Sequence, residues 1–121
     1  MFELTVERVF SAAHAIRIGD HMEPVHGHNW TVRATVAGRQ LDRDGLLVDF
    51  HAIERELERI ISPFHNRSLN EIPPFDTLNP TAEHVAREVG QALARTLAAG
   101  VTLTSLSVGE APGCTATWRP S

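Results

Sequence analysis

From His28 to Val36 the chain alternates strictly, with His28, Trp30, Val32, Ala34 and Val36 interleaved by Asn29, Thr31, Arg33 and Thr35. Side chains of a strand point to opposite faces in turn, so this stretch forms a strand buried on one side only. Phe2, Leu4 and Val6 alternate with Glu3, Thr5 and Glu7 in the same way. Carried on without a bulge, that parity brings Phe10, Ala12 and His14 to the buried face as well. Gly19-Asp20 is a turn candidate between these two segments.

Chemistry gathers at the end of that face. His26-Gly27-His28 puts two imidazoles at i and i+2, on one side of a strand. His14 lies about a dozen residues earlier and can meet them across a hairpin. Three imidazoles with an open fourth position are the usual ligand set of a catalytic zinc. The alternative is a group of satisfied strand histidines at the end of a sheet.

Asp49 is placed to cap a helix carrying Phe50, Ile53, Leu57 and Ile60 at helical spacing, stopped by Pro63. Residues 63–79 hold Pro63, Pro73 and Pro74 and read as a long ordered loop, a feature usually tied to function. Asn79, with Pro80 at the first helical position, opens a second helix. Val85, Val89, Leu93 and Leu97 form its stripe, and Gly100 ends it. Val101, Leu103, Ser105, Ser107 and Gly109 then alternate with Thr102, Thr104, Leu106 and Val108, and a last strand follows over Thr115–Trp118. The order ββααββ predicts an α+β fold, a four-stranded antiparallel sheet with two helices on one face, forming a single domain over residues 1–121. Its unpaired edges favour assembly with neighbouring subunits.

The net charge is −4 and there is no Lys/Arg block, which disfavours a nucleic-acid partner. Cys114 is the only cysteine, so an intrachain disulfide and a cysteine-built zinc site are both excluded. No apolar stretch approaches the ~18 residues of a membrane span. The opening segment MFELTVERVF carries charges inside its apolar run and is unlike a signal peptide, so a cytoplasmic location is expected.

A set of short motifs runs in order along the chain: F-S-A-A-H (10–14), H-G-H-N (26–29), V-D-F (48–50), L-N (69–70), N-P-T-A-E (79–83) and G-E (109–110). Together they resemble the 6-pyruvoyl-tetrahydropterin synthase and 6-carboxy-tetrahydropterin synthase family over nearly the whole chain. The resemblance implies the tunnelling fold, in which subunits join their sheets into a ring. It also implies a homohexamer of two stacked trimers, with active sites between subunits. It makes His14, His26 and His28 the ligands of a Zn2+ that acidifies the side chain of a pterin-like substrate. Glu110 matches the family's pterin anchor, a carboxylate able to accept a forked pair of hydrogen bonds from the pterin ring. Thr81 and Glu83 fall in the matching helix start, where they either contact the ligand or simply cap the helix.

The chain also departs from that pattern. Family members with full synthase activity carry a cysteine four residues before the first His of H-G-H, where this chain has Met22. A thioether cannot abstract a proton. The family's L-D-H-x-x-L-N segment corresponds to Phe64-His65-Asn66-Arg67-Ser68-Leu69-Asn70. Aligned without a gap, His65 replaces the aspartate and Asn66 the histidine; with a one-residue bulge, His65 takes the histidine position and Phe64 the aspartate's. The oriented Asp-His pair is broken either way. Glu23, one residue after Met22, gives E-x-x-H-G-H and resembles a branch of the family that cleaves the dihydroneopterin side chain. Glu23 and His65 are therefore the candidate catalytic residues, Glu23 being otherwise a surface loop residue. The leading expectation is a pterin-binding homologue without the standard synthase reaction. The alternatives are a zinc-dependent dihydroneopterin side-chain lyase giving 6-hydroxymethyl-7,8-dihydropterin, and a 6-carboxy-5,6,7,8-tetrahydropterin synthase.

Overall fold

A computed structural model describes residues 1–121. Strand β1 (Phe2–His14) and strand β4 (His26–Gly38) lie antiparallel, paired from Phe2 opposite Gly38 to His14 opposite His26. Strand β6 (Thr102–Ala111) pairs antiparallel with β4, and β7 (Cys114–Trp118) with β6. These four strands are the antiparallel sheet that the alternation predicts. Two short pieces had no periodicity to announce them. The two-residue strand β5 (Arg67–Ser68) runs parallel to β1 beside Ala12 and Ala13, making the sheet five-stranded in the order β5-β1-β4-β6-β7. The strands β2 (Arg17–Ile18) and β3 (His21–Met22) form a separate ribbon around the Gly19-Asp20 turn.

Both helices cover one face of the sheet. Helix α1 (Phe50–Ile61) is capped by the Asp49 side chain, which accepts from the His51 amide. It buries Ile53, Leu57 and Ile61, while Phe50 is exposed. Pro63 does not end the chain's winding at once, because Ser62–Phe64 continue as a single 3-10 turn. Helix α2 (Ala82–Ala94) starts later and stops earlier than its sequence suggests. Its N-cap is Thr81, so Pro80 precedes the helix, and Gly100 belongs to a turn beyond Ala94. Beneath both helices the Phe10 and Trp30 rings stack 5.8 Å apart at the centre of one continuous core. Glycine is required at position 90, where an added Cβ would lie 2.5 Å from a Trp118 ring carbon. The opposite face of the sheet has no helix and is polar: Thr5 bonds Thr35, Glu7 pairs with Arg33, and Ser107 bonds Thr117. No helix is long and apolar enough to cross a membrane.

Strand β6 breaks the alternation expected of residues 101–109. Leu103 pairs with Val36 but Ser105 with Thr35, leaving Thr104 as an extra residue whose hydroxyl donates to the Thr35 carbonyl at 3.0 Å. Leu103 is buried before this bulge, and Leu106 and Val108 after it, so the strand's parity switches. A second irregularity follows, with Gly109 opposite Thr115 and Ala111 opposite Cys114, so Glu110 has no partner on β7.

Candidate metal centre and ligand site

The β1–β4 register sets His14 directly across from His26, and Ala12 across from His28. All three histidines share the helix-side face with Trp30, whose ring floors the cluster 4.8 Å from His14 and 5.6 Å from His28. The three imidazole centroids are 4.7 to 5.0 Å apart. His14 is fully buried, and its Nδ1 lies 2.8 Å from the Pro80 carbonyl just before α2. A carbonyl can only accept, so Nδ1 carries the proton and Nε2 keeps its lone pair. Pro24 fixes the His26 ring in the same tautomer, its carbonyl 2.9 Å from Nδ1.

The inward nitrogens lack partners. Nε2 of His14 and Nε2 of His28 are both buried without a hydrogen bond. A buried polar atom left unpaired costs about 1–3 kcal/mol. Into the same space Glu110 directs Oε1, 3.2 Å from His28 Nε2 and 3.6 Å from His14 Nε2. One ligand atom from each of His14, His26, His28 and Glu110 lies within 4.8 Å of the others. Burial pushes the His28 imidazole below its ordinary pKa, with the Glu110 carboxylate acting in the opposite sense and His14 and His26 reinforcing the drop. A neutral imidazole is the form that binds metal. Three clustered imidazoles, two of them oriented by backbone carbonyls, with the inward Nε2 atoms of His14 and His28 unpartnered, fit a zinc ion.

Glu23 stands beside this cluster. Its Oε1 is 3.6 Å from His26 Nε2 and accepts from the Ile16 amide at 3.1 Å, while its own amide donates to the Ile16 carbonyl. The stretch that holds Glu23 is gripped on either side by two asparagines, Asn70 of the L-N motif and Asn79, which clamps a strand and does not open the second helix. Asn70 accepts from the Ala15 amide and donates to the Ala15 carbonyl, both at 2.8 Å. Asn79 does the same for Arg17, at 2.8 and 2.9 Å. Each side-chain amide thus stands in for a neighbouring strand.

The other candidates are placed differently. Thr81 Oγ1 accepts from the His84 amide and caps α2. Glu83 is exposed and shares a surface groove with Glu110 and Cys114. His65 is exposed and accepts the Ser11 amide on Nδ1 at 3.1 Å. Its neutral ring therefore presents an N–H, not a lone pair, from Nε2. Ser11 lies on the face of β1 opposite His14, so His65 does not join the histidine cluster within one chain. Phe64 is a core residue and Asn66 a left-handed turn residue with φ +59°, its amide bonded to the Ser11 carbonyl. Met22 is exposed at the end of the β2–β3 ribbon.

The family model described as 6-pyruvoyl tetrahydropterin synthase matches residues 3–121. The chain belongs to the 6-pyruvoyl tetrahydropterin synthase family. Among relatives of this family member, a dihydroneopterin monophosphate aldolase of Pyrococcus furiosus is 30% identical over 101 residues, covering 84% of this chain and 82% of that one. A 6-carboxy-5,6,7,8-tetrahydropterin synthase of Bacillus subtilis is 33% identical and covers 98% and 86%. The fold matches the Caenorhabditis elegans 6-pyruvoyl tetrahydropterin synthase with a TM-score of 0.84 at 23% identity, covering 100% of this chain and 98% of that one. It also matches a Plasmodium vivax 6-pyruvoyltetrahydropterin synthase in which a catalytic glutamate is changed to alanine, with a TM-score of 0.80 at 17% identity, covering 99% and 98%. The α+β architecture is that of the 6-pyruvoyl tetrahydropterin synthases, and the chain's function lies in pterin chemistry.

Proposed function

We propose that the protein binds a dihydropterin through Glu110, beside a zinc held by His14, His26 and His28, and cleaves the pterin's side chain with Glu23 as base. The observation that carries the reading is the Glu23 carboxylate 3.6 Å from His26 Nε2, on a backbone pinned at Ile16. Met22, one residue earlier, offers no proton acceptor, so the standard synthase reaction lacks its base there. When bound, zinc supplies Lewis-acid polarisation of the substrate's side-chain hydroxyls. Glu23 takes the proton of the second side-chain hydroxyl as the carbon–carbon bond next to it breaks. The electron pair enters the pterin ring system, and a proton returns to the carbon left on the ring. Dihydroneopterin gives 6-hydroxymethyl-7,8-dihydropterin and glycolaldehyde, with all atoms accounted for. Glu83 lines the groove that Glu110 enters, and Thr81 holds the start of α2 above it. The protein works as a homohexamer of two stacked trimers, in which the free edge of β7 meets a neighbouring sheet.

The test is incubation of zinc-loaded protein with dihydroneopterin, its monophosphate and its triphosphate, followed by product analysis. The hydroxymethyl product is expected. Glu23→Gln lowers its rate by about 100-fold or more while neopterin affinity holds. Bound pterin with no product overturns the lyase and leaves a binding homologue, whereas a 6-carboxy product assigns the protein to the carboxy-tetrahydropterin synthases.

A further inference from the structure

We infer that Glu110 is an exchangeable fourth ligand of the metal: it closes the coordination shell of the resting protein and leaves it when a pterin arrives. The inference rests on the pterin-anchor reading of the same residue and adds a second position for its carboxylate. Three features of the site lead to it.

First, two of the three imidazoles turn acceptors toward the centre. His14 and His26 each give their Nδ1 proton to a backbone carbonyl, so their Nε2 atoms are bare. A carboxylate pressed against bare lone pairs is repelled unless a cation lies between them. Second, the spacing is that of a ligand. Four donors about 2.0–2.2 Å from one zinc in a tetrahedron are about 3.3–3.6 Å from each other. Glu110 Oε1 is 3.2 Å from His28 Nε2 and 3.6 Å from His14 Nε2, close to that spacing. Third, the carboxylate is uncommitted. The Glu110 carboxylate faces the His14 and His28 nitrogens without a hydrogen-bond donor from the backbone, whereas Glu23, beside His26, already accepts the Ile16 amide. Glu23 is thereby kept as a base and Glu110 is free to ligate.

The position of Glu110 also allows it to move. It is the bulged residue of β6, lacking a ladder partner on β7, and its side chain is 29% exposed. One flank faces the histidines, and the other faces the groove lined by Glu83 and Thr115. A pterin in that groove draws the carboxylate off by offering its ring N–H groups. The vacated position then admits the substrate's own hydroxyl. Ligand binding and opening of the metal are coupled, and an unliganded centre is protected from adventitious anions.

Cobalt(II) in place of zinc reports this coordination by its visible absorption, independently of turnover. The protein loaded with cobalt is expected to show a four-coordinate band that shifts on addition of neopterin. Glu110→Gln and Glu110→Ala are expected to show an altered band, a metal affinity lower by about tenfold or more, and no further shift with neopterin. Circular dichroism and thermal melting of both variants identify any loss of fold, and Glu110→Gln preserves the side-chain volume if Glu110→Ala proves unstable. Unchanged band and affinity in the folded variants overturn the inference. So does a wild-type band that stays fixed while neopterin fluorescence shows binding. Absence of neopterin binding to the wild type overturns the pterin-anchor reading instead, and the comparison of metal affinity between wild type and variants still decides whether Glu110 is a ligand.

Discussion

Replacing Asn70 should loosen the segment that carries Glu23, by an amount the structure sets. Its side chain makes two 2.8 Å hydrogen bonds to the backbone of Ala15, which is itself buried. Asn70→Ala leaves an amide and a carbonyl without partners. At about 1–3 kcal/mol for each buried group, reduced because Asn70 is only half-buried and water can enter, the loss comes to about 2–3 kcal/mol. Asn70→Asp keeps the acceptor for the Ala15 amide but sets a carboxylate against the Ala15 carbonyl, and costs about half as much near neutral pH. The introduced carboxyl has its pKa raised by the facing carbonyl, so the folded state binds more protons than the unfolded state. Its stabilising contribution is therefore present in acid and lost as pH rises through the raised value. Urea unfolding of wild type and both variants, at one protein concentration, near neutrality and in mild acid, reads this directly. The Asp variant should approach wild type in acid while the Ala variant does not. An Asn70→Ala change within about 0.5 kcal/mol of wild type, or an Asp variant equal to the Ala variant in acid, refutes the clamp.

Gly90→Ala gains about 1 kcal/mol in helix propensity. It also puts a Cβ 2.5 and 2.8 Å from Trp118 and 3.1 Å from Leu106. Overpacking of this kind costs about 1–3 kcal/mol, so thermal melting should show net destabilisation, and a higher Tm would contradict it. Zinc at about 100 times its Kd should stabilise the protein by about 2.7 kcal/mol in a melt against a chelated sample. His14→Ala should abolish that difference, and equal melting of the wild type with zinc and with chelator would rule out a structural share for the metal.

The histidine cluster was legible because its geometry follows from strand parity and one short connection. His14, His26 and His28 sit on two adjacent strands whose alternation is unbroken. The place of Glu110 was not legible in that way. Two bulges intervene between the apolar pattern of β6 and its last turn, and a bulge leaves no sign in an alternating sequence of small residues. Glu110 was reached only through the family resemblance. The asparagine clamps were hidden for a different reason, since their partners are 55 and 62 residues away and a side-chain amide has no periodicity. Helix α2 starts two residues later than its sequence suggests because Asn79 and Thr81 are both good capping residues, and only the hydrogen bond from the His84 amide to Thr81 tells which one caps.

Thr104 gives the β6 strand a property beyond its shape. One supernumerary residue separates the phase that packs Leu103 into the core from the phase that aims Glu110 at the histidines. The two halves of the strand are thus tuned by a count of residues, not by their identity. Point substitutions on either side leave that phase intact, whereas the loss or gain of a single residue there turns the carboxylate to the opposite face and carries Leu106 and Val108 out of the core with it.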